Sequence, residues 1–239
     1  MTIAVIIPVL NECRCIGGTL TRTGALGFDE IVVVDGGSTD ETVSIVETLA
    51  KESPEVLVPR SASPIRLIQA PRGRARQCNA GAATSRCDAY LFLHADTQLP
   101  SHARQALDRT LADQTYVGGR FDVRFDADRV SARMVSCLMN LRSRRTGIAT
   151  GDQALFVRRD IFEQLGGFAD IPLMEDIDFT RRLKRIGRLA PLRDQVVTAF
   201  RRWEQKGPGR TILLMWTLRF LYWMGVSPYR LQHFYGMVR

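Results

Sequence analysis

The chain has 239 residues, of which 45% are hydrophobic and 24% are charged, and its formal net charge is +8. This length and composition predict a globular protein with a substantial core, and they exclude a disordered or collagen-like chain. The positive charge favours an anionic partner, and a phosphorylated substrate, a nucleic acid and an acidic membrane surface all satisfy it. Five cysteines without a CxxC pair predict reduced thiols rather than a disulfide framework or a structural metal site.

In the first half of the chain, short apolar segments alternate with helical patterns. Strands are predicted at 3–7, 30–35, 65–70 and 89–94. Helices are predicted at 39–52, 73–85 and 101–113, the last with Ser101 as its N-cap. Such an alternation predicts an α/β fold with a mostly parallel central sheet and helices on both of its faces.

The second half has a different pattern. Residues 118–126 alternate with period two, which predicts a longer, half-exposed strand. A helix at 129–145, a strand at 154–159, a helix at 176–187 and paired strands within 188–200 follow, and two helices end the chain. No linker-like segment separates the halves, so we predict one domain with an adapted second half.

Polar side chains follow three of the predicted strands. Asn11 and Glu12 follow the first, Asp35 ends the second before two glycines, and His94 and Asp96 end the fourth. Singly these residues fit a helix cap, a turn and a core histidine. However, the carboxyl ends of parallel strands lie at one edge of a sheet, where ligands bind in open α/β folds. Together they predict a binding site at that edge.

These motifs resemble those of the family 2 glycosyltransferases, which have the GT-A nucleotide-sugar-binding fold. The matching residues are Pro8, Asn11, Glu12, "VVVDGGSTDET" at 32–42, "FLHADT" at 92–97 and "MEDIDF" at 174–179. Three further segments, "GRARQCNAGA", "GDQALFVRRD" and "FRRWEQKG", resemble a small bacterial subgroup, some of whose members are associated with arsenosugar biosynthesis. The resemblance implies a single glycosyltransferase domain over 1–239. Its parts would be a nucleotide-sugar-binding half at 1–115, an acceptor and catalytic half at 116–206, and a helical tail at 207–239.

The resemblance also implies roles on the donor side. Asp35 would accept a hydrogen bond from the base, usually uracil, although Gly36 stands where a second Asp is common. Asp96 would bind Mn²⁺ or Mg²⁺ on the diphosphate, because these ions prefer oxygen ligands. His94 stands where the family usually has a carboxylate. It would therefore contact the ribose or a phosphate, or act as a weaker metal ligand. The implied donor-nucleotide-binding residues are Pro8, Asn11, Glu12, Asp35, Arg74, Arg76, His94 and Asp96.

On the acceptor side, the resemblance implies that Asp176 is the general base of an inverting transfer, while Asp178 fits a structural cap equally well. "FRRW" resembles the Gln-x-x-Arg-Trp motif of processive enzymes, but Ala199 occupies the Gln position, which argues against a polysaccharide synthase. The implied acceptor-side or loop residues are Asp152, Gln153, Glu175, Arg202 and Trp203. The acceptor itself stays unidentified.

Two other functions fit part of the sequence. A sugar nucleotidyltransferase should have a glycine-rich phosphate loop after its first strand, where this chain has "PVLNE". A basic module that binds nucleic acid or membrane would explain "RSRR" at 142–145, but it leaves the strand-end carboxylates unexplained. We therefore expect no nucleic-acid partner.

Location is predicted from the two ends of the chain. The first apolar run is short and lacks a preceding basic segment, so we expect a strand rather than a signal peptide and a cytoplasmic protein. Residues 211–226 are apolar but too short to span a bilayer, and Arg219 interrupts them. This segment fits either a terminal helix packed on the core or an amphipathic helix in peripheral contact with the inner face of the membrane.

Overall fold

The structure is a computed structural model that describes residues 1–52, 63–200 and 207–237. Its strands are β1 Ile3–Val9, β2 Glu30–Asp35, β3 Ile65–Gln69, β4 Ala89–Phe92, β5 Thr97–Gln98, β6 Tyr116–Phe125, β7 Leu155–Arg158 and β8 Arg188–Thr198. Its helices are α1 Ile16–Gly24, α2 Thr42–Glu52, α3 Arg74–Thr84, α4 Ala103–Ala112, α5 Val130–Thr146, α6 Arg159–Gln164, α7 Glu175–Ile186, α8 Pro208–Trp223 and α9 Pro228–Met237. A short 3-10 helix spans Gly151–Gln153.

The eight strands form one mixed sheet in the order β3-β2-β1-β4-β7-β6-β8-β5. Pairings β1–β2, β2–β3, β1–β4 and β6–β8 are parallel. Pairings β4–β7, β6–β7 and β5–β8 are antiparallel. The predicted α/β fold with a mostly parallel sheet is therefore confirmed, with antiparallel strands inserted in its second half. Because β1, β2 and β4 are parallel neighbours, their carboxyl ends meet at one edge.

Two apolar cores lie on opposite faces of the sheet. Alternate residues of β1 point to different cores, with Ile3, Val5 and Ile7 on one side and Ala4 and Ile6 on the other. The first core packs against α1, α2 and α4, and the second against α3, α6 and α7. Both faces of the parallel half are thus covered, as expected for near-continuous apolar strands.

Some sequence-based predictions of elements were wrong. β6 is almost wholly buried rather than half-exposed, because α5 covers it and the Asn140 amide pairs with both backbone groups of Val123 at 2.8 and 2.9 Å. Ser101 is not an N-cap, since α4 begins after His102, which makes no capping hydrogen bond with its side chain. Residues 188–198 form one strand, β8, and not a pair.

The C-terminal helices pack against the start of α7. Leu218 of α8 and Leu231 of α9 are buried together with Met174 and Ile177. Within the described ranges, no helix has the length and apolar character needed to cross a bilayer. The packing of α8 positions one of its faces close to the candidate site described next.

Candidate active site

The loops after β1 and β2 are joined by hydrogen bonds. The backbone N–H of Asn11 donates to Ser38 Oγ at 2.9 Å, and the backbone N–H of Thr39 donates to the side-chain Oδ1 of Asn11 at 2.8 Å. Glu12 N–H donates to Thr42 Oγ1 at 2.8 Å. These bonds bring Asn11 and Glu12 to the loop that follows Asp35, as the strand-end argument predicted. Pro8, by contrast, lies within β1 opposite Val34 and acts as part of the strand.

Asp35 shapes the loop that it begins. Its side chain is 1% exposed, and its carboxylate accepts hydrogen bonds from the N–H groups of Gly37 at 3.0 Å and Ser38 at 3.1 Å. Gly37 has φ of +92°, a conformation that favours glycine. A carboxylate has about four acceptor positions, so these two bonds leave Asp35 capacity for a further donor.

Gln77 explains why residue 36 is a glycine. The Gln77 amide nitrogen donates to the carbonyl oxygens of Val9 and Val34, both at 2.8 Å, and so ties together the ends of β1 and β2. A Cβ on Gly36 would lie 3.0 Å from this amide. A second carboxylate therefore does not fit here unless Gln77 moves. Sequence analysis missed this role, although Gln77 lies in the "GRARQ" motif that it singled out.

His94 is held by a carboxylate from a distant loop. Its Nδ1 lies 3.2 Å from Oδ1 of Asp152. An ionised carboxylate only accepts hydrogen bonds, so we assign the Nδ1 proton to this contact. The other ring nitrogen, Nε2, is buried and has no hydrogen-bond partner in the part of the chain that the structure describes. His94 thus presents an unsatisfied polar atom beside the carboxyl end of β4.

Asp96 has the chemistry of a metal ligand but lacks a full set of protein ligands around it. Its side chain is half-buried, and the hydroxyl of Thr97 lies 3.5 Å from its Oδ1. Across residues 1–52, 63–200 and 207–237, no three His, Cys, Asp or Glu side chains are grouped to hold a metal. Mg²⁺ is usually bound by one or two carboxylates together with substrate phosphates and water, rather than by a dedicated protein cage. Asp96 fits that mode.

Asp176 and Glu175 lie at the start of α7 beside the 3-10 helix. Gly151 N–H donates to Asp176 Oδ2 at 2.8 Å, while Arg74 Nη1 lies 3.1 Å from Glu175 Oε1 and 4.0 Å from Asp176 Oδ2. Burial and the neighbouring Asp176 carboxylate raise the pKa of Glu175, and Arg74 opposes this shift. A Cβ on Gly151 would lie 1.9 Å from the Arg74 guanidinium, so a larger residue here would displace that guanidinium from its present position.

Backbone strain concentrates around these residues. In the described chain, three non-glycine residues have positive φ: Asn11 at 57°, Ala154 at 46° and Met174 at 70°. Ala154 directly follows the 3-10 helix, and Met174 directly precedes Glu175. Such conformations cost about 1–3 kcal/mol each and cluster at functional sites.

Other predicted site residues have structural contacts or lie elsewhere. Gln153 is fully buried and caps the 3-10 helix, with its Oε1 accepting from Thr150 N–H at 3.2 Å. Arg76 forms an exposed ion pair with Asp170 at 2.8 Å. Asp178 pairs with Arg182 at 2.8 Å, which is a structural contact within α7 but not the helix cap considered for it. The predicted residues Arg202 and Trp203 lie outside the described residues.

Sequence analysis missed two arginines next to this site. Arg142 of α5 and Arg219 of α8 line a small cavity together with Asp152. Both guanidinium groups interact electrostatically with Asp152 and Asp176. Arg219 was visible as a charge in an otherwise apolar helical segment, and Arg142 as the first residue of the basic run "RSRR", but neither pattern assigns the arginine to this site.

Known proteins with similar sequences and folds are glycosyltransferases. Residues 4–166, more than half of the chain, match the model of the family described as glycosyl transferase family 2. An uncharacterised glycosyltransferase from Nostoc sp. is 29% identical over 120 residues, which cover 49% of this chain and 35% of that protein.

Solved structures share the fold. The mannosyltransferase PcManGT from Pyrobaculum calidifontis, in complex with GDP-Man and Mn²⁺, is 25% identical with a TM-score of 0.65, covering 82% of this chain and 56% of its own. TarS 1–349 from S. aureus is 18% identical with a TM-score of 0.63, covering 83% and 60%. It has also been solved with UDP.

The fold is that of the GT-A glycosyltransferases. The chain belongs to glycosyl transferase family 2. It spans less than two thirds of the length of the relatives described above.

Proposed function

We propose that this chain transfers a sugar from a nucleoside-diphosphate sugar, with UDP as the nucleotide, to an acceptor hydroxyl with inversion at the anomeric carbon. One observation carries the proposal. A series of contacts runs from the carboxyl end of β4 to the start of α7, through the pairs His94–Asp152, Gly151–Asp176 and Arg74–Glu175. This series supports the proposal, because it links a residue that would contact the donor with the residue that would act as the base.

The donor would lie at the carboxyl edge of β1, β2 and β4. Asp35 would accept the N–H of the base through the capacity that its two loop hydrogen bonds leave free. His94 Nε2, unsatisfied within the described chain, would contact ribose or phosphate. The complexes of PcManGT with GDP-Man and of TarS with UDP and UDP-GlcNAc support a nucleotide-sugar donor in this fold.

Mn²⁺ or Mg²⁺ would be held by Asp96 together with the diphosphate. When bound, such an ion neutralises charge that develops on the leaving diphosphate. The GDP-Man complex of PcManGT contains Mn²⁺, which supports this cofactor. Of the two predicted donor-side arginines, Arg74 lies beside the proposed base and is engaged with Glu175, whereas Arg76 pairs with Asp170.

Asp176 would take the proton of the acceptor hydroxyl. Gly151 N–H and the nearby Arg74 guanidinium fix the orientation of its carboxylate. General base catalysis of this kind contributes about 10²–10⁴-fold in rate. The attacking oxygen displaces the diphosphate in one step, and this single displacement inverts the sugar carbon.

Three finer statements belong to the same proposal. The chain would act as one domain over 1–239, with the parts 1–115, 116–206 and 207–239. It would belong to the small bacterial subgroup linked to arsenosugar biosynthesis, on the motifs "GRARQCNAGA" and "GDQ". It would be cytoplasmic and contact the inner face of the membrane peripherally through α8. Exposed apolar residues support this contact: Leu213, Trp216, Phe220 and Trp223.

The competing functions make different predictions in one experiment. UDP-, GDP- and TDP-sugars are titrated into the protein by calorimetry with and without Mn²⁺, and release of nucleoside diphosphate is followed. A transferase should bind one donor with help from Mn²⁺ and release the diphosphate. A nucleotidyltransferase should instead consume a nucleoside triphosphate with a sugar phosphate, and a nucleic-acid module should bind none of the sugars. Either of the last two results would contradict the proposal.

A further inference from the structure

A cavity of about 80 Å³ lies between α5 and α8, next to the candidate active site. Its walls are mostly apolar, but they include two guanidinium groups and one carboxylate, from Arg142, Arg219 and Asp152. At about 30 Å³ for each water, this volume holds roughly two to three waters, or one small anionic group.

Arg142 has unsatisfied hydrogen-bonding groups beside this cavity. Arg142 Nε and Nη2 are both buried without a hydrogen-bond partner in the described chain. Burial, with a further contribution from the charge of Arg219, lowers the pKa of Arg142 to about 10. Burial also lowers the pKa of Arg219. Polar groups buried without partners cost free energy, so the fold maintains this pair at the expense of stability.

Within the described chain, Asp152 and Asp176 act electrostatically on Arg142 but do not satisfy its Nε and Nη2 by hydrogen bonds. Asp176 Oδ2 accepts from Gly151 N–H, and Asp176 Oδ1 lies 2.7 Å from Ile177 N. Asp152 Oδ1 contacts His94. Arg120, whose Nη2 is likewise buried and unpartnered in the described chain, adds positive charge near Arg142.

The mouth of the cavity opens onto an exposed apolar surface. Leu138 and Trp216 line the cavity and are 43% and 63% exposed. They belong to two exposed stripes at helical spacing, which we call the α5–α8 face: Val130, Met134, Leu138 and Leu141 on α5, and Leu213, Trp216, Phe220 and Trp223 on α8. An extended apolar surface of this kind marks an interaction site.

We propose that this cavity anchors an acceptor in which a phosphate group is joined to an apolar body and which carries its reacting hydroxyl apart from that phosphate. The phosphate would occupy the cavity between Arg142 and Arg219, and the apolar body would lie on the α5–α8 face. A phosphomonoester carries about −1.5 to −2 charges at neutral pH, which two guanidinium groups match, and arginine binds phosphate oxygens in bidentate fashion. The inference rests on the proposed function, since it places the acceptor beside Asp176, but the binding itself needs no donor.

Trp216 provides a direct signal of occupancy. In the wild-type protein, tryptophan fluorescence is followed during titration with octyl phosphate, octanol and inorganic phosphate below micellar concentrations, and calorimetry gives the three affinities. We expect octyl phosphate to bind at least about tenfold more tightly than either of the others, because only it fills both parts of the site. Equal affinities for octyl phosphate and octanol would overturn the proposal.

Variants test the two arginines. Arg142→Gln and Arg219→Gln should each weaken octyl phosphate binding by about ten- to a hundredfold, the value of a lost hydrogen bond to a charged group. Arg145→Gln, an exposed arginine on the same helix, is the matched control and should bind normally. Arg142→Lys and Arg219→Lys keep the charge if the Gln variants do not fold. Undiminished binding in the folded Gln variants would contradict the assignment.

Two further measurements separate the possible outcomes. UDP affinity, measured by calorimetry in the same variants, should stay unchanged. If wild type binds no nucleotide, the proposed function fails, but the octyl phosphate titration still tests whether the cavity binds a phosphate group. Phosphatidylcholine vesicles with or without octadecyl phosphate identify the source of the ligand. Arg142-dependent sedimentation only with octadecyl phosphate indicates a membrane-borne acceptor, and binding confined to octyl phosphate in solution indicates a free one.

Discussion

The Asp176 carboxylate is oriented by the backbone N–H of Gly151 and lies near the Arg74 guanidinium. The proposed role as a general base depends on this orientation as well as on the charge of the carboxylate. Asp176→Asn keeps the shape and removes the base. We expect transfer to a hydroxyl acceptor to fall about 10²–10⁴-fold, while donor binding measured by calorimetry persists. The matched control is Asp178→Asn, two positions further along the same helix. This variant loses only the ion pair with Arg182. Near wild-type turnover in Asp176→Asn would disprove the role of this residue.

Glu175 makes stability depend on pH in a defined direction. Burial and Asp176 raise its pKa above the ordinary value of 4.5, so the folded state holds this proton more tightly than the unfolded state. Glu175 therefore contributes stability below its unfolded pKa, and this contribution is lost as pH rises through the folded pKa. Glu175→Gln mimics the protonated form.

The corresponding measurement is the difference in melting temperature between Glu175→Gln and wild type at about pH 4 and about pH 7. The variant should gain relative to wild type at the higher pH. Glu47→Gln, an exposed carboxylate on α2, should show no such change. If the melting temperature of Glu175→Gln instead falls relative to that of wild type as pH rises, the ion pair with Arg74 outweighs the cost of burying the charge.

At the scale of elements, α3 holds the ends of β1 and β2 in place through Gln77. This packing predicts coupling between Gln77 and Gly36, because a Cβ at position 36 meets the Gln77 amide at 3.0 Å. Gly36→Ala should destabilise the protein by about 1–3 kcal/mol, as overpacking does. In a Gln77→Ala background, the same substitution should cost much less. Urea unfolding of the four proteins in this double-mutant cycle measures the difference, and additive costs would disprove the contact.

The element scale also shows what sequence reasoning can reach. Asn11, Asp35 and His94 could be placed at one edge because strand polarity alone fixes where parallel strands end. Gln77, Arg142 and Arg219 could not be placed, since their roles depend on which helix faces meet, and a helical pattern does not specify its partner. The prediction that β6 is half-exposed was wrong for the same reason. No residue pattern within β6 indicates that α5 packs against it.

At the scale of the whole molecule, the α5–α8 face is the largest departure from an ordinary polar surface that we identify in the described chain. Phe220 and Trp223 are 57% and 73% exposed, whereas Leu218 on the same helix is 1% exposed. If the face contacts membrane, Phe220→Glu with Trp223→Glu should reduce sedimentation with anionic vesicles more than tenfold, because each buried side chain is worth about 1.5–3 kcal/mol. The melting temperature should change little.

Ile186→Glu is the control for this variant, since it adds one negative charge at an exposed apolar position outside the α5–α8 face, 40% exposed at the end of α7. It should sediment like wild type. If the Phe220 and Trp223 variant unfolds, the face is covered by the protein itself or by another copy. If the folded variant still binds vesicles, the basic residues alone account for membrane binding.

The central claim is that Asp96 and a nucleoside diphosphate together complete one metal site, since the described residues do not group three ligands. The claim is tested by titrating UDP calorimetrically into wild type and Asp96→Ala, each with and without Mn²⁺. In wild type, Mn²⁺ should tighten UDP binding, and UDP should tighten Mn²⁺ binding by the same factor, about 5–150-fold for typical coupling. Asp96→Ala should bind UDP without metal as wild type does and lose this enhancement. Full Mn²⁺ enhancement in the folded variant, or no UDP binding by wild type at all, would contradict the account.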